Sequence, residues 1–413
     1  MPAHLPDDVA LHKSCLHDVD RHPHDRALAA HSRRPLFLQP RSAAGHPQRR
    51  RLFSRRAGAE HPDAAVNAAL PAVLDFPHAT PPAPGEVIAV APHVLWLRMP
   101  LPFALDHINL WLLADPDDGF TLVDCGIGDA VTRALWERHA AATLAARPIR
   151  RIIATHCHPD HVGNAAWLAS RFDAPVAMTH AEFLTAHAMR DEHGGYSLAA
   201  TADLFRRHGM AADQLAQLLA RGNGYRRLVP ELPTVFDRLL DGDLRSAGAT
   251  TWRVVEGHGH SPEHASLYSA ERGVLIAGDM LLPRISTNVS VWAVERDGNP
   301  LARFLDSLAA FEALPADTLV LPSHGLPFRG IPTRVAQLRA HHEARLHELV
   351  EAVQGATAPQ SAAALVPVLF RRELDVQQRY FAMGEAIAHL NFLWHAARLE
   401  RRIATDGTIR FIA

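Results

Sequence analysis

From residue 86 onward, apolar and polar positions fall into short, regular blocks. EVIAV, HVLWLRM, HINLWLLAD and FTLVDCG are β-rich runs separated by Pro, Asp and Gly turns, which predicts a meandering sheet. A helical pattern over Asp129 to Ala145 follows, and RIIATH then reads as a buried strand. A helix around Asn164 to Arg171 leads into PVAMTH as the next strand. The alternation continues through TWRVVEG, ASLYSAERGVLIAGD, a helix near Leu301 to Leu314 and DTLVLPSH, so the stretch to residue 345 is expected to be an α/β unit. Between PVAMTH and TWRVVEG, residues 181 to 235 hold more helical sequence than a connection needs, including LAATADLFRRHG and AADQLAQLLARG. They read as a cap beside a site.

Both ends of the chain differ from this middle. Helical sequence over Ile331 to Val353 gives way to a Gly/Ala/Pro break, then to PVLFRREL and the helical MGEAIAHLNFLWHAARLERR. The final IATDGTIRFIA reads as a hairpin turning at Asp406-Gly407. The first 65 residues hold eight histidines, ten arginines and the chain's only lysine, Lys13, with almost no apolar periodicity. Such composition predicts disorder, in preference to a His-rich metal tract or a basic arm, with ATPPAPGE (79–86) as the linker into the fold. The expected organisation is an extension and linker over 1–80, a catalytic unit over 81–345 and a small C-terminal unit over 346–413.

Composition narrows the function classes. With 413 residues, 48% of them hydrophobic, the chain can bury a large core. No apolar run is long enough to cross a bilayer and the N-terminus lacks an apolar signal core, so a soluble, cytoplasmic protein without a membrane partner is expected. Cys15, Cys125 and Cys157 are too few and too scattered for a disulfide framework or a zinc ribbon. The formal net charge is −2, but the first 65 residues contribute +4, leaving −6 on the rest. An acidic body weighs against a nucleic-acid surface and favours a small-molecule substrate. A homodimer stays open.

The densest chemistry is THCHPDHVG, residues 155 to 163, directly after RIIA. A tight turn at a strand end can aim His156, His158, Asp160 and His161 at one point. Imidazole and carboxylate together suit zinc, iron or manganese, and the absence of paired thiolates argues against a purely structural zinc. Further candidates stand after later apolar strands: the histidines of GHGHSPEH (257–264), Asp279 after VLIAG, and His324 in SHG after LVLP.

At these residues the chain resembles the metallo-β-lactamase fold superfamily of metal-dependent hydrolases. The signature His-X-His-X-Asp-His stands as HCHPDH; the later elements stand in order as His260, Asp279 and His324, and TLVDCG with Asp124 resembles the family's acidic motif. The resemblance, over roughly 86–345, implies an αββα sandwich with a dinuclear site on one edge. His156, His158 and His260 would hold one divalent ion, Asp160, His161 and His324 the other, and Asp279 would bridge them. Zinc is expected first, with iron or manganese as alternatives. Asp160 would also move a proton, making it the catalytic residue, while Asp124 and His264 would support ligands from behind. His258 is read as incidental and Cys157 as pointing away.

The true β-lactamases typically carry a cysteine where this chain has Asp279, which disfavours antibiotic cleavage. The histidine at 158, in place of an acid, disfavours the flavo-diiron reading. Two function classes remain: hydrolysis of a small thioester, ester or lactone, as in glyoxalase-II-like relatives, or phosphodiester cleavage, as in lactamase-beta-2-like ones. The C-terminal helices and hairpin resemble the winged-helix appendage of the latter. For substrate contacts the candidates are Tyr225, Arg226 and Arg227 in RGNGYRRLVP, and Arg284, whose guanidinium suits a carboxylate or phosphate.

Overall fold

The computed structural model describes residues 73–115, 119–145 and 147–413. The expected disorder of the N-terminal segment lies outside them. Fourteen strands and eleven α-helices are formed among the described residues. The first sheet collects β1 (Ile88–Ala91), β2 (Val94–Pro100), β3 (His107–Asp115) and β4 (Gly119–Val123), then, after α1 (Ala130–Ala141), β5 (Ile149–Ile153). Two short helices, α2 (Pro159–Val162) and α3 (Ala165–Phe172), lead to β6 (Val176–Thr179); α4 (His180–Arg190), α5 (Leu198–Arg207), α6 (Ala212–Ala220) and α7 (Gly224–Leu228) precede β7 (Asp237–Leu239). Its seven strands lie in sequence order, antiparallel from β1 to β4 and parallel from β4 to β7.

The second sheet takes β8 (Leu244–Ala247), β9 (Thr250–Gly257), β10 (His264–Ser269), β11 (Val274–Gly278) and, beyond α8 (Pro300–Glu312), β12 (Leu319–Pro322), in the order β12-β11-β10-β9-β8. Then come α9 (Ile331–Gln354), α10 (Ala362–Leu369), α11 (Val376–His395) and the hairpin of β13 (Glu400–Ile403) and β14 (Ile409–Ile412). That hairpin turns through Asp406, which caps the Thr408 amide, and Gly407 at φ +79°.

Alternation in β3 shows why the layers form. Leu110 and Leu112 face the layer of α1 and α3 with Leu122, Trp136 and Leu168. Trp111 and Leu113 face the second sheet with Trp96, Trp252, Leu267 and Ile276. A strand buried on both sides reads as the continuous apolar run INLWLL rather than as a half-polar edge. Beyond the second sheet, α8 and α9 cover its other face with Phe304, Leu308, Val335 and Leu338. The result is the αββα sandwich. Asn109 stitches the sheets at one edge: it accepts from Trp96 Nε1 (2.9 Å), and its Nδ2 donates to the Pro322 carbonyl at the end of β12 (2.8 Å).

One placement differs from the sequence reading. Residues before 80 are part of the fold: Leu74 is buried in the core of α8 and α9, and Asp75 pairs with Arg329. An aperiodic Pro-rich stretch hides this, because a single anchoring leucine makes no pattern. The 181–235 segment, expected as a cap, docks α5 and α6 into the core that α11 shares, through Leu204, Phe205 and Leu218. No helix of the described residues is long and apolar enough to cross a membrane.

Candidate metal centre

The ligand-type residues meet where strand ends of both sheets converge. β5 delivers Thr155 and His156, and the turn into α2 supplies His158, Asp160 and His161; His260 comes from the β9–β10 loop, Asp279 follows β11 and His324 follows β12. Two groups result: His156, His158, His260 and Asp279, then Asp160, His161 and His324, with one ligand atom from each residue lying within 4.8 Å of the others in its group. His156 Nε2 is 3.0 Å from His158 Nδ1 and 3.2 Å from His260 Nε2. Asp279 spans the groups. Its Oδ2 lies 3.4 Å from His260 Nε2, and its Oδ1 lies 3.4 Å from His324 Nε2 and 3.6 Å from His161 Nε2.

Most outward-facing nitrogens are taken by other groups, which selects the tautomer and leaves the inner nitrogen as a ligand. His161 Nδ1 bonds Asp124 (2.8 Å), His324 Nδ1 donates to the His107 carbonyl (2.7 Å) and His260 Nδ1 to the Asn288 carbonyl (2.8 Å). Asp124 also accepts from the Thr155 amide (2.8 Å) and sits at φ +63°, a left-handed conformation that costs a non-glycine residue roughly 1–3 kcal/mol. The buried carboxylate's bonds to Thr155 and His161 hold it there. His264 Nε2 accepts the Asp279 amide at 3.1 Å. A Cβ at Gly278 (φ +54°) would stand 2.2 Å from that nitrogen, so the residue before Asp279 must be glycine.

Charge is distributed differently in the two groups. Burial and mutual repulsion keep the first group's His156 and His158 neutral, His158 falling to about 3. Burial also pulls His161 down, but the carboxylates of Asp124, Asp160 and Asp279 outweigh it and lift its pKa to about 9. Burial would raise Asp160, yet His161 and His324 bring it down to about 2. Protons thus stand where a cation would neutralise the same carboxylates.

The residues fit divalent cations. His161 Nε2 and Asp279 Oδ1 are buried without a hydrogen-bond partner, a costly arrangement unless another group satisfies both. Neutral imidazoles and carboxylates are the donors that zinc, iron and manganese take. Because a ligand imidazole must be neutral and nearby carboxylates raise both His161 and His324, metal uptake near neutral pH is expected to release protons from these two rings, and affinity should climb as pH rises above neutrality. Calorimetric titration in buffers of different ionisation enthalpy reads that release; an enthalpy independent of buffer would show imidazoles already neutral.

The sequence matches the family described as "Metallo-beta-lactamase superfamily" over residues 104–324, and "Metallo-beta-lactamase-like, C-terminal domain" over 346–413. The chain belongs to the metallo-beta-lactamase superfamily. It is similar to a crystallised beta-lactamase domain protein from Burkholderia ambifaria, at 50% identity over 82% of this chain and 98% of that one, TM-score 0.76. A metallo-beta-lactamase family protein from Thermus thermophilus follows at 31% identity, 78% and 99% coverage, TM-score 0.67. The "Probable metallo-hydrolase YqjP" of Bacillus subtilis is 24% identical over 327 residues, 73% of this chain and 92% of that protein.

Other residues singled out in the sequence lie outside the cluster. Tyr225, expected as a substrate contact, is buried, and its hydroxyl donates to the Cys157 carbonyl (2.5 Å), bracing the histidine loop from behind. Arg226 and Arg227 are exposed on the same short helix, where Arg227 donates to the Arg221 carbonyl rather than to any cluster residue. Arg284 is exposed over the Phe76 ring at 5.8 Å and borders a cavity of about 290 Å³ with Arg334 and His341. His258 bonds the Pro262 carbonyl, outside the cluster, and Cys157 packs into the core on the helix side.

Sequence reasoning missed Glu182. Fully buried, it accepts from the Cys157 amide (2.9 Å), Ser261 Oγ (2.6 Å) and the Glu263 amide (2.7 Å), tying the 155–161 loop to the 258–264 loop. Burial lifts its carboxyl above the usual value against those donors. A signal was available, since Glu182 stands just past PVAMTH, separated from it by Ala181 alone. Also missed were Trp292, whose ring centroid lies 6.2 Å from that of His158, and Tyr196, set edge-on against Trp292 at 5.7 Å.

Proposed function

We propose that this protein is a dinuclear metal-dependent hydrolase acting on a small-molecule ester, thioester or lactone. The observation that carries the reading is Asp279, one carboxylate facing both ligand groups from between them. His156, His158 and His260 would hold one divalent cation and Asp160, His161 and His324 a second, with Asp279 available to both; such ions would supply Lewis acidity and a more acidic bound water. The chain's own residues do the rest. Asp124, the Asn288 carbonyl and the His107 carbonyl keep three imidazoles in the ligating tautomer. Asp160, its side chain 18% exposed and its Oδ2 3.4 Å from His324 Nε2, is the carboxylate placed to accept or deliver a proton.

Acyl substrates are favoured over phosphodiesters by what borders the site. Trp292, partly exposed beside His158, and Tyr196, packed edge-on against Trp292, offer an aromatic wall rather than cations. The net charge of −6 after residue 65 gives no general pull on a polyanion. Zinc is the metal we assign first and the cytoplasm the compartment. The test is the full-length protein with measured metal content, assayed against thioesters, lactones and bis(4-nitrophenyl) phosphate before and after chelation. Chelator-sensitive turnover of the acyl compounds is expected; turnover confined to the phosphodiester would replace this reading with the phosphodiesterase one.

A further inference from the structure

Residues 279–299, between β11 and α8, contain no strand and only a single 3-10 turn, yet they carry both the acceptor of His260 and the Trp292 wall. What holds them is the C-terminal helix α11, which bonds the segment along three of its own turns. Glu385 accepts from Asn288 Nδ2 (3.1 Å), the Gly384 carbonyl accepts the Val291 amide (3.1 Å), Asn391 Nδ2 donates to the Arg296 and Gly298 carbonyls (3.1 and 3.0 Å), and His395 Nε2 donates to the Asp297 carbonyl (2.8 Å). The approach is close. A Cβ on Gly384 would stand 2.6 Å from Ser290 Oγ.

α11 is itself pinned from behind. His389 Nδ1 donates to the Glu385 carbonyl (2.9 Å), which leaves Nε2 of the neutral ring to accept from His342 Nδ1 on α9 (3.2 Å). In front, both polar ends of the Asn288 side chain are clamped: Nδ2 by Glu385, and Oδ1 by Ser290 Oγ at 2.8 Å. The main-chain carbonyl of that clamped residue is the one that receives His260 Nδ1–H.

We propose that Glu385, from the C-terminal unit, is a positioning residue of the metal centre: through Asn288 it sets the tautomer and orientation of His260. The C-terminal unit is then a working part of the site rather than an appendage beside it. This rests on the metal-centre reading, and the experiment separates the two. Burial lifts the Glu385 carboxyl to about 7, and its neutral form still accepts from Asn288 through the carbonyl oxygen, so glutamine is its conservative replacement.

The variants are Glu385→Ala, Glu385→Gln, Asn288→Ala and the double alanine, each compared with the wild-type full chain by thermal melting and by titration with cobalt(II). Glu385→Ala is expected to weaken one of the two cobalt sites, the one that contains His260, about tenfold and to shift its visible absorption bands, with the other site unchanged. Glu385→Gln should stay within about twofold of wild type, and the double variant should be no worse than either single one, because both act through one bond. Asn288→Ala keeps its carbonyl and serves if Glu385→Ala does not fold. Wild-type cobalt affinity and spectrum in the alanine variants would overturn the proposal, as would losses that add, or equal loss in Ala and Gln. Wild-type protein that takes up no cobalt would overturn the metal-centre reading itself.

Discussion

Asp279→Asn should lower turnover by about a thousandfold and release metal, the largest functional effect expected of any single substitution here. Aspartate presents two anionic oxygens, Oδ2 toward His260 and Oδ1 toward His324 and His161. Asparagine keeps one neutral oxygen and puts an N–H donor on the other side, where a cation would be repelled. The backbone need not move, because the Asp279 amide still bonds His264 and its carbonyl still receives the Thr287 hydroxyl. Loss of activity would therefore report on the carboxylate and not on misfolding. Mass spectrometry of metal content gives the control series: His260→Ala should lose metal, whereas His258→Ala, whose ring bonds the Pro262 carbonyl, should retain it. Two bound metals and near-normal rates in Asp279→Asn would remove the shared-ligand reading.

The largest stability effect is expected at Glu182. Its removal as Glu182→Ala strands the Cys157 and Glu263 amides and the Ser261 hydroxyl in a site without solvent. Each stranded donor costs about 1–3 kcal/mol, and partial relaxation brings the total to about 3–5 kcal/mol. Urea unfolding of the two proteins reads the difference as a shift in midpoint at constant slope. Glu182→Gln, which can still accept on one oxygen but opposes an N–H to the other donor, should lose about half as much. A loss below about 1 kcal/mol in the alanine variant would show that the two ligand loops are held by something else. Because those loops carry His156, His158, His161 and His260, weakened metal retention should accompany the loss of stability.

Both residues show how far the sequence could be read. The α/β alternation was legible because apolar periodicity marks strands and helices locally, and the superfamily resemblance, which implied the αββα sandwich, because HCHPDH compresses four ligand-type side chains into one turn. The same rule of chemistry at strand ends put Asp279 and His324 among the candidates, and the structure brings both to the cluster. It should also have raised Glu182. The burial of Tyr225 was not legible for a different reason: composition shows that a tyrosine can touch a ligand but not whether a core closes over it, and here Val162 and Val229 share its core.

What the sequence by itself determined, then, is the order of strands and helices and the inventory of metal-binding side chains, both properties written in residue type and short spacing. Tertiary structure decided which of those side chains meet. It set Asp279 between two groups drawn from different strand ends, seated Leu74 in a core with Phe328 and Ile331 from the far end of the catalytic unit, and brought Glu385 against Asn288. It also decided the tautomers, since His260 and His324 are oriented by the main-chain carbonyls of Asn288 and His107. A backbone carbonyl is the same in every residue, so its role depends on where the chain folds and leaves no trace in the residue that carries it.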